Sequence, residues 1–322
     1  MRIDEKIMVP INDLDQGMFI QTEDISKPVL LFLHGGPGQP MIAMCEKFPT
    51  GLDKLFTVCW WEQRGSGISY DSKMNKNLIN VQQLIDDTLA VTVYLRKRFK
   101  KDKIYLMGHS WGSVLGILTV QQNPFVFEAY MGIGQVTNQD LSERLGYEYM
   151  CTAFEKLDDK KNLRKLKKYE LVEGKPIPNS YLMTRTKSMT KLGVGVMHNK
   201  ISMFEISKII LGTKRYTMVE KVKYLKGMKL SMDILFDEVT NKDYMIAVPK
   251  LEIPVYIFQG KYDYQVSYQL AKKYAKKIHA PLVGFYTFLE SAHSPCFEEP
   301  SKMIRIIETD VLNKQTTLAD SI

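Results

Sequence analysis

Cysteine is scarce in this chain, and the little present has no pattern. Cys45, Cys59, Cys151 and Cys296 are scattered over 322 residues, without the close pairs that bind zinc or close a disulfide framework. They read as buried thiols, which suits a reducing compartment. No apolar run approaches the roughly 18–20 residues needed to span a bilayer. "PVLLFLHGG" and "VLGILTV" have the lengths of a core strand and a core helix instead. The first residues, "MRIDEKIMVP", lack the apolar region of a secretory signal. A cytoplasmic protein with no membrane partner is expected. Histidine is limited to five positions, and no histidine or cysteine pair has metal-ligand spacing. No metal is expected.

What is present is ordinary for a folded enzyme-sized chain. Hydrophobic residues make up 45% and charged residues 25%, which excludes extended disorder. The length allows one large domain or two modest ones. The net charge of +8 is uneven, because Lys156–Lys229 holds 19 Lys/Arg against 6 Asp/Glu. A basic segment can signal nucleic acid. Here the lysines are spread out and accompany no nucleic-acid motif, so they read as solvated helix faces and nucleic acid is not an expected partner.

Along the chain, short alternating segments near Ile3–Val9 and Met18–Thr22 predict a hairpin around "NDLDQG". Strand-like and helix-like runs then alternate. "PVLLFLHGG", "LFTVCWWEQRGSG", "KIYLM" and "AYMGIGQ" read as strands. Val81, Leu84, Ile85, Thr88, Leu89, Thr92, Leu95 and Phe99 mark an amphipathic helix. Such alternation implies a mostly parallel sheet covered on both faces. It fails from about 136 to 248, where the chain is rich in Lys and Met and reads as helices. It resumes with "IPVYIFQG" and "GFYTFLES". The predicted architecture is one α/β core, 1–135 and 249–322, with a helical insertion at 136–248 on the side where strands end and substrates bind.

The chemistry centres on "GHSWG", residues 108–112. G-x-S-x-G between a strand and a helix is a nucleophile elbow: strained serine at the apex, glycines where side chains would clash. Ser110 is the predicted nucleophile. A serine needs a base, and the base an orienting acid. Asp263, just past "PVYIFQG", and His293, just past a later strand, lie in the expected order at the strands' carboxyl ends. His279 precedes its strand and falls at the wrong end. His109 adjoins the serine with its side chain expected to point away. Two backbone donors are required for the oxyanion; the amides of Trp111 and of Gly36, in "HGGPG", are the candidates.

These residues resemble the α/β-hydrolase superfamily and, within it, the proline iminopeptidases. "HGGPG" at 34–38, "EQRGSGIS" at 62–69 and "GHSWGS" at 108–113 carry the resemblance. Glu62 stands where that group has Asp, and His109 where it has Gly. The resemblance implies an eight-stranded sheet, a helical cap between the sixth and seventh strands, and no metal or organic cofactor. It also implies cap residues, tryptophan and glutamate among them, that hold a substrate's free amine. All three tryptophans (Trp60, Trp61, Trp111) lie outside the insertion, and Glu205 is the sole acidic residue between Gly174 and Met218. Glu205 is therefore the candidate substrate-binding residue, its alternative being an exposed position on an amphipathic helix. The leading reading is an aminopeptidase acting on short peptides through a Ser-His-Asp acyl-enzyme mechanism. The alternatives are a carboxylesterase or lactonase, in which Met183, Met189, Met197, Met203, Phe204 and Met218 would line an acyl pocket rather than serve ordinary helix packing, and a non-catalytic binding protein on the same scaffold. The sequence does not fix the oligomeric state.

Overall fold

In a computed structural model that describes every residue but Gly174, the chain contributes eight strands to one sheet. They are β1 (Ile3–Ile11), β2 (Leu14–Thr22), β3 (Val29–Leu33), β4 (Thr57–Trp61), β5 (Ile104–His109), β6 (Phe127–Ile133), β7 (Val255–Gly260) and β8 (Val283–Phe288). Their order is β1-β2-β4-β3-β5-β6-β7-β8. The first two are antiparallel to their neighbours, and every pairing from β4 to β8 is parallel. The hairpin is tighter than "NDLDQG" suggests. Its strands run to Ile11 and from Leu14, and Asn12 makes the reversal with a left-handed φ of 54°, a conformation Asn tolerates better than most residues.

Strands β3, β4, β5 and β7 are buried at every residue, as a sheet covered on both faces requires. The helices are α1 (Ile42–Lys47), α2 (Val81–Phe99), α3 (Trp111–Gln122), α4 (Gln139–Lys156), α5 (Lys160–Leu166), α6 (Asn179–Leu192), α7 (Met203–Gly212), α8 (Met218–Thr240), α9 (Tyr244–Ala247), α10 (Tyr268–Lys277), α11 (Pro295–Glu298) and α12 (Pro300–Ile306). One face of the sheet packs Leu84, Val91, Leu95, Val114 and Ile117 of α2 and α3. The other packs Ile42, Met303 and Ile306 of α1 and α12. Each such side chain, once buried, contributes about 1.5–3 kcal/mol.

Between β6 and β7 the described residues form six helices, α4 to α9. Part of this connection has its own apolar cluster: Met150, Phe154, Leu166, Tyr181, Met189 and Val194, with Tyr262 and Tyr264 from the loop after β7 packed against it. The connection thus touches the carboxyl end of the sheet through side chains far away in sequence. Among the described residues, no helix is long and apolar enough to cross a membrane.

Candidate active site

Ser110 sits where β5 breaks into α3, with φ 56° and ψ −121°. For a non-glycine residue that backbone costs on the order of 1–3 kcal/mol, so the surroundings must impose it. They do. A Cβ on Gly108 would lie 2.2 Å from the Gly112 carbonyl oxygen, and one on Gly112 would lie 2.1 Å from that of Leu33. The Ser110 amide donates to the Ile133 carbonyl at 2.9 Å, tying the turn to the end of β6. Trp111 opens α3, so its N–H has no acceptor within the helix.

Asp263 and His293 meet although 30 residues separate them. His293 Nδ1 lies 2.8 Å from Asp263 Oδ2. A carboxylate oxygen only accepts, so Nδ1 carries the proton and Nε2 keeps its lone pair. That Nε2 is buried and has no hydrogen-bond partner. Asp263 is held by four donors. Oδ1 accepts from the amides of Gln265 and Val266, and Oδ2 also accepts from Gln259 Nε2. The ring of His293 leaves no room beside Gly134, where a Cβ would stand 2.7 Å from Cε1. Gly134 follows β6 directly, and Ser110 is bonded to the residue before it. Ser110 and the His293 imidazole therefore converge on the end of one strand.

His109 does more than point away from the serine. Its ring centroid is 4.9 Å from that of His293, and its Nε2 donates to the His293 carbonyl at 3.1 Å. Burial, then the neighbouring His293, push its pKa down to about 3; His109 is a neutral donor near pH 7. His279 lies away from this cluster, bridged to Lys250 before β8.

The two glycine-rich motifs form one network. Trp111 Nε1 donates to Gln63 Oε1 at 3.0 Å, and Gln63 Nε2 donates to the His34 carbonyl at 3.0 Å. The Gln63 amide donates to His34 Nε2 at 3.2 Å, so the His34 proton stands on Nδ1, 2.9 Å from the Gly35 carbonyl. Burial lowers the His34 pKa to about 4, which keeps it neutral. The loop carrying Gly36 is thus fixed to the residue that supplies the Trp111 amide. Gly35 packs on Ser110 itself, since a Cβ there would meet the Ser110 Cβ at 3.0 Å. Beyond it, Arg64 pairs with Asp87 of α2 at 2.6 Å, both side chains fully buried. Glu62 accepts from the Ile68 amide at 2.6 Å and pairs with the Tyr216 hydroxyl. Burial raises the Glu62 pKa to about 7, against the pull of those two hydrogen bonds.

Glu205 lies elsewhere. It is exposed in the first turn of α7, where its carboxylate accepts from the Ser202 amide (2.8 Å) and hydroxyl (2.7 Å). The pair is a capping box, and those bonds hold the Glu205 carboxyl below its ordinary range. No hydrogen bond joins it to Ser110, Asp263 or His293. Most of the methionine-rich set also faces solvent: Met183, Met203, Phe204 and Met218 are exposed, and Met189 and Met197 are buried in packing clusters.

Residues that the sequence did not single out hold the loops of Asp263 and His293. The Glu298 carboxylate, on α11, accepts from the amides of Ala292 (2.9 Å), His198 (2.6 Å) and Asn199 (3.1 Å). The His293 amide donates to the Gly195 carbonyl at 3.1 Å.

Residues 28–147 match the family model described as the alpha/beta hydrolase fold. Over 295 residues the chain is 32% identical to a Bacillus subtilis protein named probable aminopeptidase YbaC, covering 90% of this chain and 91% of that one. The chain belongs to the α/β-hydrolase superfamily. It is a hydrolase of the proline iminopeptidase-like kind. A proline iminopeptidase of Saccharolobus solfataricus is 28% identical over 87% of this hydrolase and 83% of its own length. In fold, the hydrolase resembles the crystal structure of proline iminopeptidase from Mycobacterium smegmatis, with a TM-score of 0.65 at 14% identity over 96% of this chain and 98% of that one.

Proposed function

We propose that this hydrolase is a serine aminopeptidase that removes one N-terminal residue, proline among the candidates, from short peptides. The observation that carries the chemistry is the tautomer of His293. Asp263 holds the proton on Nδ1, and the unpartnered Nε2 is a base. Ser110 Oγ attacks the scissile carbonyl as its proton passes to Nε2. The developing oxyanion accepts from the amides of Gly36 and Trp111, which are stiffened by the Gln63 network. Such preorganised donors contribute about 3–4 kcal/mol each. Collapse of the tetrahedral intermediate releases the peptide amine, protonated by His293. Water then hydrolyses the acyl-enzyme by the same steps in reverse roles. The segment 136–248 is the cap of this reading: it roofs the site and limits access to small substrates. The two relatives named as peptidases support the substrate class.

One observation favours an esterase as the second reading. A substrate ammonium in a desolvated pocket needs a carboxylate. Among the described residues the fully buried carboxylates are Glu62, Asp87, Glu143, Asp263 and Asp310, and each already has a partner: Tyr216, Arg64, Arg185, His293 and Tyr286 respectively. A proline arylamide, its N-acetyl derivative and a short aryl ester separate the readings. Preference for the free-amine amide supports the peptidase. Good turnover of the ester, with both amides equally poor, replaces it with the esterase. Labelling of Ser110 by a fluorophosphonate, abolished in Ser110→Ala, tests the nucleophile under either reading.

A further inference from the structure

The loop carrying His293 and a short segment of the β6–β7 connection are joined at one side chain. Glu298 is half-buried at the end of α11, and its two oxygens divide their work. Oε2 accepts from Ala292, the residue before His293, at 2.9 Å. Oε1 accepts from His198 and Asn199 at 2.6 and 3.1 Å. The same segment reaches the site at three further points. Gly195 O accepts from the His293 amide at 3.1 Å, and Val194 O accepts from the Tyr264 amide, next to Asp263, at 3.3 Å. The His198 ring stacks on Tyr262 with centroids 3.9 Å apart and planes 13° from parallel. His198 is itself braced, its Nδ1 lying 2.7 Å from the Gly193 carbonyl. Residues 193–199 thus touch the acid loop and the base loop together.

We propose that Glu298 is a positioning residue for His293, and that it locks the base loop to the 193–199 segment so that the two move as one body. It touches no substrate. It fixes the backbone from which the imidazole hangs, and through that the distance from Nε2 to the Ser110 hydroxyl. The inference rests on the Ser110–His293–Asp263 reading but not on the substrate being a peptide.

The chemistry of the carboxylate makes the idea testable by two substitutions with different outcomes. In Glu298→Gln one oxygen remains. Two amides call for it on the segment side and one on the loop side, so the oxygen settles toward His198 and Asn199, and its NH2 faces the Ala292 N–H. The base loop loses the bond at Ala292, next to the imidazole, while it keeps those of Glu290 and Ser291 to Glu299 and of His293 to Gly195, and the segment keeps its own. Glu298→Ala releases both. A misplacement of about 1 Å in a reacting group can cost on the order of 100-fold. The experiment is fluorophosphonate labelling of Ser110 in the full-length protein, with the rate constant expressed per folded molecule by near-UV circular dichroism, and kcat and KM for the substrate the wild type prefers.

Glu298→Gln should lower the labelling rate and kcat by about 10- to 100-fold with KM within about twofold. Glu298→Ala should match that loss and raise KM as well. A residue of merely structural importance would reduce the folded fraction and leave the rate per folded molecule unchanged. That outcome in Glu298→Gln, which preserves shape and folds where the alanine variant fails to, overturns the proposal. Absence of labelling at Ser110 in the wild type would instead sink the triad reading on which it stands.

Discussion

Replacing Asp263 with asparagine probes the site more sharply than deleting the side chain, because its neighbours dictate how the new amide must face. Oδ1 accepts from the amides of Gln265 at 3.0 Å and Val266 at 2.8 Å. Backbone N–H groups only donate, so the asparagine oxygen must take that place. The NH2 then replaces Oδ2 and faces His293 Nδ1, 2.8 Å away. Gln259 cannot relieve the clash by turning over. Its Oε1 accepts from the Gln135 amide at 3.1 Å, and its Nε2 also donates to the Val266 carbonyl at 3.1 Å. The imidazole adapts by moving its proton to Nε2, leaving Nδ1 to accept. The proton then stands on the nitrogen that has to take one from Ser110. A wrong tautomer of this kind lowers turnover about ten-thousand-fold, or about 5.4 kcal/mol of barrier. The donor–donor contact with Gln259 costs about 1–3 kcal/mol of stability, which a domain of this size tolerates. The assay is kcat/KM for the preferred substrate and the rate of fluorophosphonate labelling, with the melting temperature alongside. A folded Asp263→Asn protein within tenfold of wild type would show that another group orients the base.

Three further predictions concern stability and substrate. Glu62 is protonated more readily in the fold than in the unfolded chain, with a pKa near 7 against an ordinary 4.5. Its burial therefore costs nothing below pH 4.5 and progressively more up to pH 7, about 3 kcal/mol in all at about 1.4 kcal/mol per pH unit. Glu62→Gln should raise the melting temperature at pH 8 relative to its effect at pH 4.5, and a pH-independent difference would refute the account. Asp87→Ala leaves the Arg64 charge buried with only the half-exposed Asp13 beside it. Urea titration should show a loss of about 3–5 kcal/mol, and a loss below about 1 kcal/mol would mean the pair is dispensable. Glu205→Gln should change KM for a proline arylamide by less than about twofold, since an exposed capping carboxylate faces no substrate. A tenfold rise, absent with the N-acetyl derivative, would return Glu205 to the amine site.

The strand and helix order was legible because each element carries its own periodicity, and the elbow because its glycines answer a local steric demand. The meeting of Asp263 with His293 followed from a rule about strand ends rather than from either residue's surroundings. What stayed hidden was contact across long separations. Nothing near His109 says that its ring will lie on a histidine 184 residues away. Gly134 is a glycine because of His293, and Glu298 reaches 100 residues back to His198. Glu205 is a different case, for its fate was readable. "SMFE" is a capping-box pattern, and Ile206, Ile209 and Ile210 give α7 an inward face that leaves Glu205 outside.

The β6–β7 connection holds the site from two sides, and its two parts hold different chemistry. Residues up to Asn199, its first part, bind the loops that carry Asp263 and His293: Gln139 and Ser142 bond the segment after Asp263, Tyr149 stacks on Tyr264 at 3.8 Å, and Gly195 takes the His293 amide. Residues of its second part bind the loops after β3 and β4: Tyr224 bonds the Pro40 carbonyl, Tyr216 bonds Glu62, and Ser231 lies so close to Gly38 that a Cβ there would meet it at 2.6 Å. Ser110 alone is fixed by the sheet, through Ile133, Gly108 and Gly112. On the proposed reading, a displacement of either part against the other would therefore change the geometry between His293 and the Gly36 donor while leaving Ser110 and the Trp111 amide in place. Substitutions in the first part should act on proton transfer, and those in the second on stabilisation of the tetrahedral intermediate. On the proposed triad reading, the connection is part of the catalytic frame as well as the cap over the site.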